Sequence, residues 1–260
     1  MNGRAPPELP AGIELVSLEL AASARSEAAR RARTGAPEGT LVWVRQPQRP
    51  MARANRAWQL AATPGLHAAL VLRPGLPADE CAQLGPLAVL AIGRALAERV
   101  EPMTDLRYRW PNDVLLDRGK VAGVWLEADG SPECVDWLVV SWAANVEAAP
   151  ADLGFDAASL QSEGASGPVE PAGLLQSVVR ELASAIVTWD EDGFESLRSS
   201  WERRLLLGEP IHLALEDGSH VAGIAEAVDA NGALSVRAGE TLHRVGLGRF
   251  FALPESGDDR

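Results

Sequence analysis

The hydrophobic pattern of this chain has two regimes. Up to about residue 206, helical stripes alternate with short apolar runs, and beyond Gly208 only short runs remain. A first helix is expected over 23–33, with Gly35 as its stop. Residues 40–44 and 68–72 read as short buried strands. The basic, proline-broken stretch RQPQRPMARANR between them reads as a loop. Residues 78–100 read as one helix, with Leu84, Leu87, Ala88, Ala91 and Ala95 on a shared face. A strand is expected at 106–109. Strands at 114–116 and 121–127 then flank Asp117-Arg118-Gly119, a hairpin with glycine expected at its tight position. Residues 137–142 give another apolar strand, and 147–171 a loop rich in Ala, Gly, Ser and Pro. Leu174, Leu175, Val178, Leu182, Ile186 and Trp189 form a helical stripe, and a further helix is expected over 193–206.

After Gly208, strand-like runs at 211–215, 221–228, 233–236 and 242–245 alternate with turns such as Asp217-Gly218 and Asn231-Gly232. Such spacing predicts a small β-barrel. The expected class is therefore α+β: a mixed central sheet with helices on one face over about 15–207, then a small β domain over 208–254.

Composition narrows the function classes. With 260 residues and 47% hydrophobic content, the chain can fill a sizeable core. A net charge of −12 argues against bulk attraction to nucleic acid. Cys81 and Cys134 form neither a CxxC pair nor a ligand cluster, which fits a reducing cytoplasm. No secretory h-region or spanning apolar run is visible, so no membrane partner is expected. His67, His212, His220 and His243 have no metal-site spacing, and no metal site is expected. Asp190-Glu191-Asp192-Gly193 reads as a capping cluster at a helix start, and Ser141 lacks the G-x-S-x-G turn of a hydrolase.

The chemistry concentrates in Arg109-Trp110-Pro111-Asn112-Asp113 and the following Gly119-Lys120-Val121-Ala122-Gly123. A cation, an indole, a carboxamide and a carboxylate stand at a strand end, and the hairpin returns Lys120 to the same neighbourhood. Val121, Val124 and Leu126 read as core residues, while Ala122 and Gly123 leave room for close approach. A lysine beside a glycine-lined cleft can neutralise a developing phosphate or carboxylate charge. Taken alone, the same pattern also fits an ordinary hairpin carrying an exposed, solvated lysine.

This run resembles the K-W-P-N-D…K-x-A-G motif of biotin protein ligases, with Arg109 in its first position. The order of other features agrees. Trp58 matches the tryptophan after that family's glycine-rich loop, and Asn145 the asparagine of its G-x-G-x-N strand. The closely spaced C-terminal strands resemble its SH3-like cap. The resemblance implies a class II synthetase-like fold and a two-step reaction on ATP, Mg²⁺ and biotin. Biotinyl-AMP forms first, and a lysine on the biotin carboxyl carrier domain of a carboxylase then takes the biotinyl group. It assigns Lys120 as the catalytic residue and Arg53, Arg56, Trp58, Trp110, Asn112, Asp113 and Asn145 to the nucleotide or adenylate. Ser23, Lys120 and Gly123 fall to biotin.

Three stretches depart from the family pattern. Where the loop should carry three glycines and a further arginine, this chain has Pro50, Ala52, Asn55 and Met51. Fewer backbone N–H groups can then wrap a phosphate, which implies weak nucleotide retention. Ser23-Ala24-Arg25 replaces S-T-N near the biotin head, and Ser141-Trp142-Ala143-Ala144-Asn145 lacks the strand glycines. Two alternatives stay open: a catalytically impaired relative that binds an acyl or nucleotide ligand or a protein partner, and a lipoate- or octanoate-type acyl ligase. Only about twenty residues precede the first helix, too few for a winged helix-turn-helix, so a core ligase without operator binding is expected.

Overall fold

A computed structural model describes residues 7–50, 65–151, 155–215 and 217–251. The first half of the chain gives β1 (Glu14–Ala21), α1 (Ala24–Arg33), β2 (Thr40–Pro47), β3 (Leu66–Leu72), α2 (Ala78–Cys81) and α3 (Leu84–Ala97). The site hairpin and its neighbours follow as β4 (Leu106–Arg109), β5 (Asp113–Leu116), β6 (Gly119–Gly130) and β7 (Val135–Ala144). After α4 (Pro171–Asp192) and α5 (Glu195–Glu202) come β8 (Pro210–Ala214), β9 (His220–Val228), β10 (Leu234–Ala238) and β11 (Thr241–Val245). Seven strands form one mixed sheet in the order β1-β2-β3-β7-β6-β5-β4, and the last four form a separate small sheet in the order β11-β10-β9-β8. Strands β1 and β2 run parallel, with α1 as the crossover that parallel neighbours require. The other pairings are antiparallel.

The pleat sorts side chains between two cores. Leu66, Ala68, Leu70 and Leu72 of β3, with Leu138, Val140 and Trp142 of β7, enter the large core shared with α3 and α4. Ala69 and Val71, with Val139, point to the opposite face, where Ala24, Ala28, Ala29 and Ala32 seat α1. Helices therefore cover both faces of the sheet, not one as expected. The buried stripe of α1 is alanine alone, which lets the helix approach closely but leaves no large apolar periodicity to read.

Other elements also differ from expectation. Strand β1 carries a blurred alternation, because Val16 and Leu18 pack towards α1, Leu15 packs towards the large core and Leu20 is exposed. The expected helix over 78–100 is two helices, since Pro86 has no N–H to continue the ladder onto Ala82. Helix α3 is buried nearly all round, Val89, Leu90, Ile92 and Leu96 included. Asp190, Glu191 and Asp192 end α4 rather than start a helix, and Gly193 at φ +77° terminates it. In the hairpin, Asp117 and Arg118 take the positive φ angles, +43° and +74°, in a two-residue turn. Gly119 is needed for another reason: a Cβ there would lie 2.6 Å from the Ala158 methyl.

The small sheet docks on the site hairpin. The Trp110 indole Nε1 donates to the Gly232 carbonyl at 2.9 Å, and Arg118 pairs with Glu209 at 3.3 Å. Against α3, the Tyr108 ring occupies the space of a missing side chain at Gly93, where a Cβ would collide with the phenol oxygen. Gly93→Ala should therefore destabilise the protein by about 2 kcal/mol net. The overpacking outweighs the helix propensity gained, about 1 kcal/mol. Urea unfolding checks this, and an unchanged or raised midpoint would show that the ring gives way freely.

Candidate functional site

The register of β5 on β6 shifts between Val114 and Leu115: Val114 faces Ala122, but Leu115 faces Lys120. Strand β6 thus carries one residue more than regular pairing allows, a bulge. Beyond it, Ala122, Val124 and Leu126 enter the large core, while Gly123 and Trp125 face the α1 side. Without the bulge, Lys120 would share the core side with Ala122. With it, Val121 is the residue that enters the core, and the lysine stem crosses above Gly123, its Cε 3.4 Å from where a Cβ would stand. Ala122, expected to leave room beside the cleft, is core instead.

Lys120 is held on both edges of its backbone. It pairs with Leu115 on one side, and on the other its N–H donates to Asp156 O at 2.8 Å while its carbonyl accepts from Ala158 N–H at 2.9 Å. The ammonium lies 2.6 Å from Asp113 Oδ1, with both side chains mostly buried, and 6.0 Å from the centre of the exposed Phe155 ring. The lysine is therefore not the exposed, solvated group of the hairpin reading. Asn112 is buried and clamps Val124 twice, its Nδ2 donating to Val124 O at 2.9 Å and its carbonyl accepting from Val124 N–H at 3.0 Å. Asn145 is buried too, with Nδ2 donating to Ala158 O at 3.0 Å, on the same segment that pins Lys120.

A row of groups crosses the α1 face of the sheet from this ion pair. Lys120 and the Trp125 indole converge over Gly123, the indole carbons 3.1 Å from where a Cβ would stand. Next comes a recess bounded by Trp125, Ser141 and His67, with Ser23 at the α1 end. The Ser23 hydroxyl caps α1, accepting from Ser26 N–H at 3.0 Å, and Ser141 Oγ donates to Trp125 O at 3.1 Å. The recess has only about 20 Å³ of room, enough for a water but no ring system. The space between Ser23 and Lys120 is filled by the Trp125 indole, itself 5% exposed. Burial pushes the His67 imidazole down to about 4, so it is neutral at physiological pH.

The structure thus gathers Lys120, Asp113, Gly123 and Ser23 along one face, with Asn112 and Asn145 bracing the hairpin from below. Trp110 is buried against the small sheet. Arg53, Arg56 and Trp58 lie outside the described residues, as do Met51, Ala52 and Asn55. Sequence reasoning did not single out Trp125 or His67. Trp125 was legible in retrospect, because it stands two residues beyond Gly123 on a strand and must share its face. His67 gave no such signal.

The fold, a mixed sheet with a small antiparallel sheet docked on the site hairpin, has clear relatives. The fold superposes with a TM-score of 0.76 on a biotin protein ligase-like protein of unknown function from Silicibacter sp. TM1040, at 21% identity over 93% of this chain and 97% of that one. The biotin protein ligase from Aquifex aeolicus in complex with biotin and ATP gives 0.74, at 22% identity over 91% and 97%. In sequence, the chain is 37% identical over 196 residues to the biotin--[acetyl-CoA-carboxylase] ligase of Paracoccus denitrificans, covering 71% of this chain and 78% of that protein. It is 26% identical over 238 residues to the bifunctional ligase/repressor BirA of Bacillus subtilis, covering 90% and 72%. The chain belongs to the biotin/lipoate A/B protein ligase family, whose model matches residues 9–203.

The His67 position gives a stability test. The folded state accepts a proton there only near pH 4, whereas the unfolded state accepts one near 6.5, so stability falls as pH drops through that window. The loss is at most about 3 kcal/mol. His67→Gln should flatten the dependence of the urea midpoint on pH between 6.5 and 4. Superimposable profiles for the two proteins would place the acid sensitivity elsewhere.

Proposed function

We propose that this chain is an ATP-dependent biotin protein ligase, with its catalytic unit over 15–207 and an SH3-like cap over 208–254. The observation that carries the reading is the Lys120–Asp113 pair, at 2.6 Å, closing one end of the row that starts at Ser23. The biotin ring would lie towards Ser23, with its carboxylate reaching Lys120. The Lys120 ammonium has three donors, so it can hold Asp113 and still hydrogen bond a ligand carboxylate. A carboxylate oxygen attacks the α-phosphorus of ATP, the bond to pyrophosphate breaks, and biotinyl-AMP results. The amine of a carrier-domain lysine then attacks the acyl carbon and AMP leaves. In both steps negative charge grows beside Lys120, and a prepositioned cation stabilises it more than it does the ground state. Among the described residues, no group of three His, Cys, Asp or Glu side chains could hold a metal ion. Mg²⁺ would be carried largely by the nucleotide phosphates. Asn112, Asp113, Trp110 and Asn145 would serve the adenylate side, together with Arg53, Arg56 and Trp58. The acceptor would be the biotin carboxyl carrier domain of a carboxylase, and the setting the cytoplasm. The unpaired state of Cys81 and Cys134 supports that setting, and no described helix is long and apolar enough to cross a membrane.

Pyrophosphate release with ATP, Mg²⁺ and biotin, run beside lipoate and octanoate, tests the reading. Release with biotin alone is expected. Release only with lipoate or octanoate would reassign the acyl group, and release with none would leave a binding protein. Lys120→Ala should lower adenylate formation by about 10²–10³-fold. Because it strands Asp113, it should also cost some stability, which Asp113→Asn in the same chain restores without restoring the rate. Trp125→Leu should tighten biotin binding by about tenfold, since the ligand no longer has to displace an indole. Calorimetry showing equal or weaker binding would mean that the indole does not fill the ring site.

A further inference from the structure

On the α3 face of the sheet, away from the recess, lies an open cleft of about 550 Å³ between α3, β4 and the end of α5. Four arginines line it: Arg94, Arg107, Arg203 and Arg204. One carboxylate, Asp105, lines it too and is paired with Arg107 at 2.9 Å, leaving a formal +3 in a chain whose net charge is −12. The other guanidinia are lightly engaged. Arg94 meets Glu181 only at 3.9 Å, Arg203 donates to Ser200 Oγ at 3.2 Å, and Arg204 donates to Leu106 O at 3.1 Å. Each guanidinium carries five donors, so most of these N–H groups point to no group of the described residues. Tyr108 completes the lining. It is 1% exposed, and its hydroxyl, tucked onto Gly93, makes no hydrogen bond to any described residue. The ring is buried, and the phenol is a donor on the cleft wall that a bound anion could accept from.

We propose that this cleft is a second binding site, for a small oligophosphate-bearing anion. Three features select that chemistry. The volume falls within the roughly 300–1,000 Å³ of small-molecule sites and exceeds what a single phosphate needs. The guanidinia come from three different elements around the cleft, which suits a chain of tetrahedral phosphates better than one planar carboxylate. The phenol supplies a neutral donor, and burial keeps it protonated by pushing it up to about 12. The site shares no residue with the recess or the Lys120–Asp113 pair, and the inference stands apart from the ligase reading.

Tyr108 is the one tyrosine in the chain, which gives the cleft its own reporter. The protein is labelled with ¹³Cζ-tyrosine, and its single resonance is followed during titration with tripolyphosphate, citrate or sodium chloride at matched ionic strength. A saturable shift with tripolyphosphate is expected, unchanged in Lys120→Ala. It should be lost in Arg94→Gln/Arg204→Gln and weakened about tenfold or more in Ser200→Glu, which places a charge on the cleft wall without touching the core. Drift matching sodium chloride would mean screening only and would overturn the site. Saturation by citrate but not tripolyphosphate would overturn the phosphate assignment. A shift that survives both cleft variants, or that disappears in Lys120→Ala, would place the binding elsewhere.

Discussion

The extra residue that β6 carries opposite the Val114–Leu115 step sets the sidedness of the whole site. Side chains on a strand alternate strictly, so one inserted residue exchanges the two faces for everything before it. Here it sends Val121 into the core and turns Lys120 out over Gly123, within reach of Asp113. The same local geometry explains the neighbours. Gly119 lets the 156–158 segment approach, and that segment fixes the lysine backbone. Asn112 and Asn145 then spend their amides on holding the two sides of the bulge, on Val124 and Ala158. A partly buried ion pair has little freedom to wander, so the ammonium is prepositioned where charge would develop.

The opposite end of the row is narrow. Trp125 stacks over Gly123 and leaves a water-sized space against Ser23, His67 and Ser141. The missing side chain at Gly123 lets the indole sit there. On the ligase reading, a ligand takes the indole's place, and affinity is reduced by whatever fraction of molecules has the indole swung aside. Ala24 and Arg25 stand at the start of α1 beside the same spot. Arg25 leans on Glu127 at 3.4 Å. Recognition of a head group there falls on fewer polar partners.

Much of this was legible in the sequence. Gly35, Gly208 and the turn pairs mark element ends because only certain backbones fit there, and the Trp-Pro-Asn-Asp run with Lys120 marks the site. What could not be read has physical causes. The bulge leaves no trace in Val121-Ala122-Gly123-Val124, where an unbroken apolar run hides a change of face. The α1 stripe is alanine, too weak to show which side of the sheet it covers. β1 divides its apolar residues between two cores. Tyr108 and its arginines come from three distant stretches, so only the fold brings them together. The recess owes its small volume to the size of one side chain at position 125, which pattern reading records only as one more apolar residue.

The most direct measurement is a crystal structure of this chain with a non-hydrolysable biotinyl-AMP analogue. The acyl oxygen is expected within hydrogen-bond distance of Lys120 Nζ, the ring system between Ser23 and Gly123, and the Trp125 indole displaced from its place over Gly123. An analogue bound with Trp125 unmoved and Lys120 out of reach of the acyl group would contradict it.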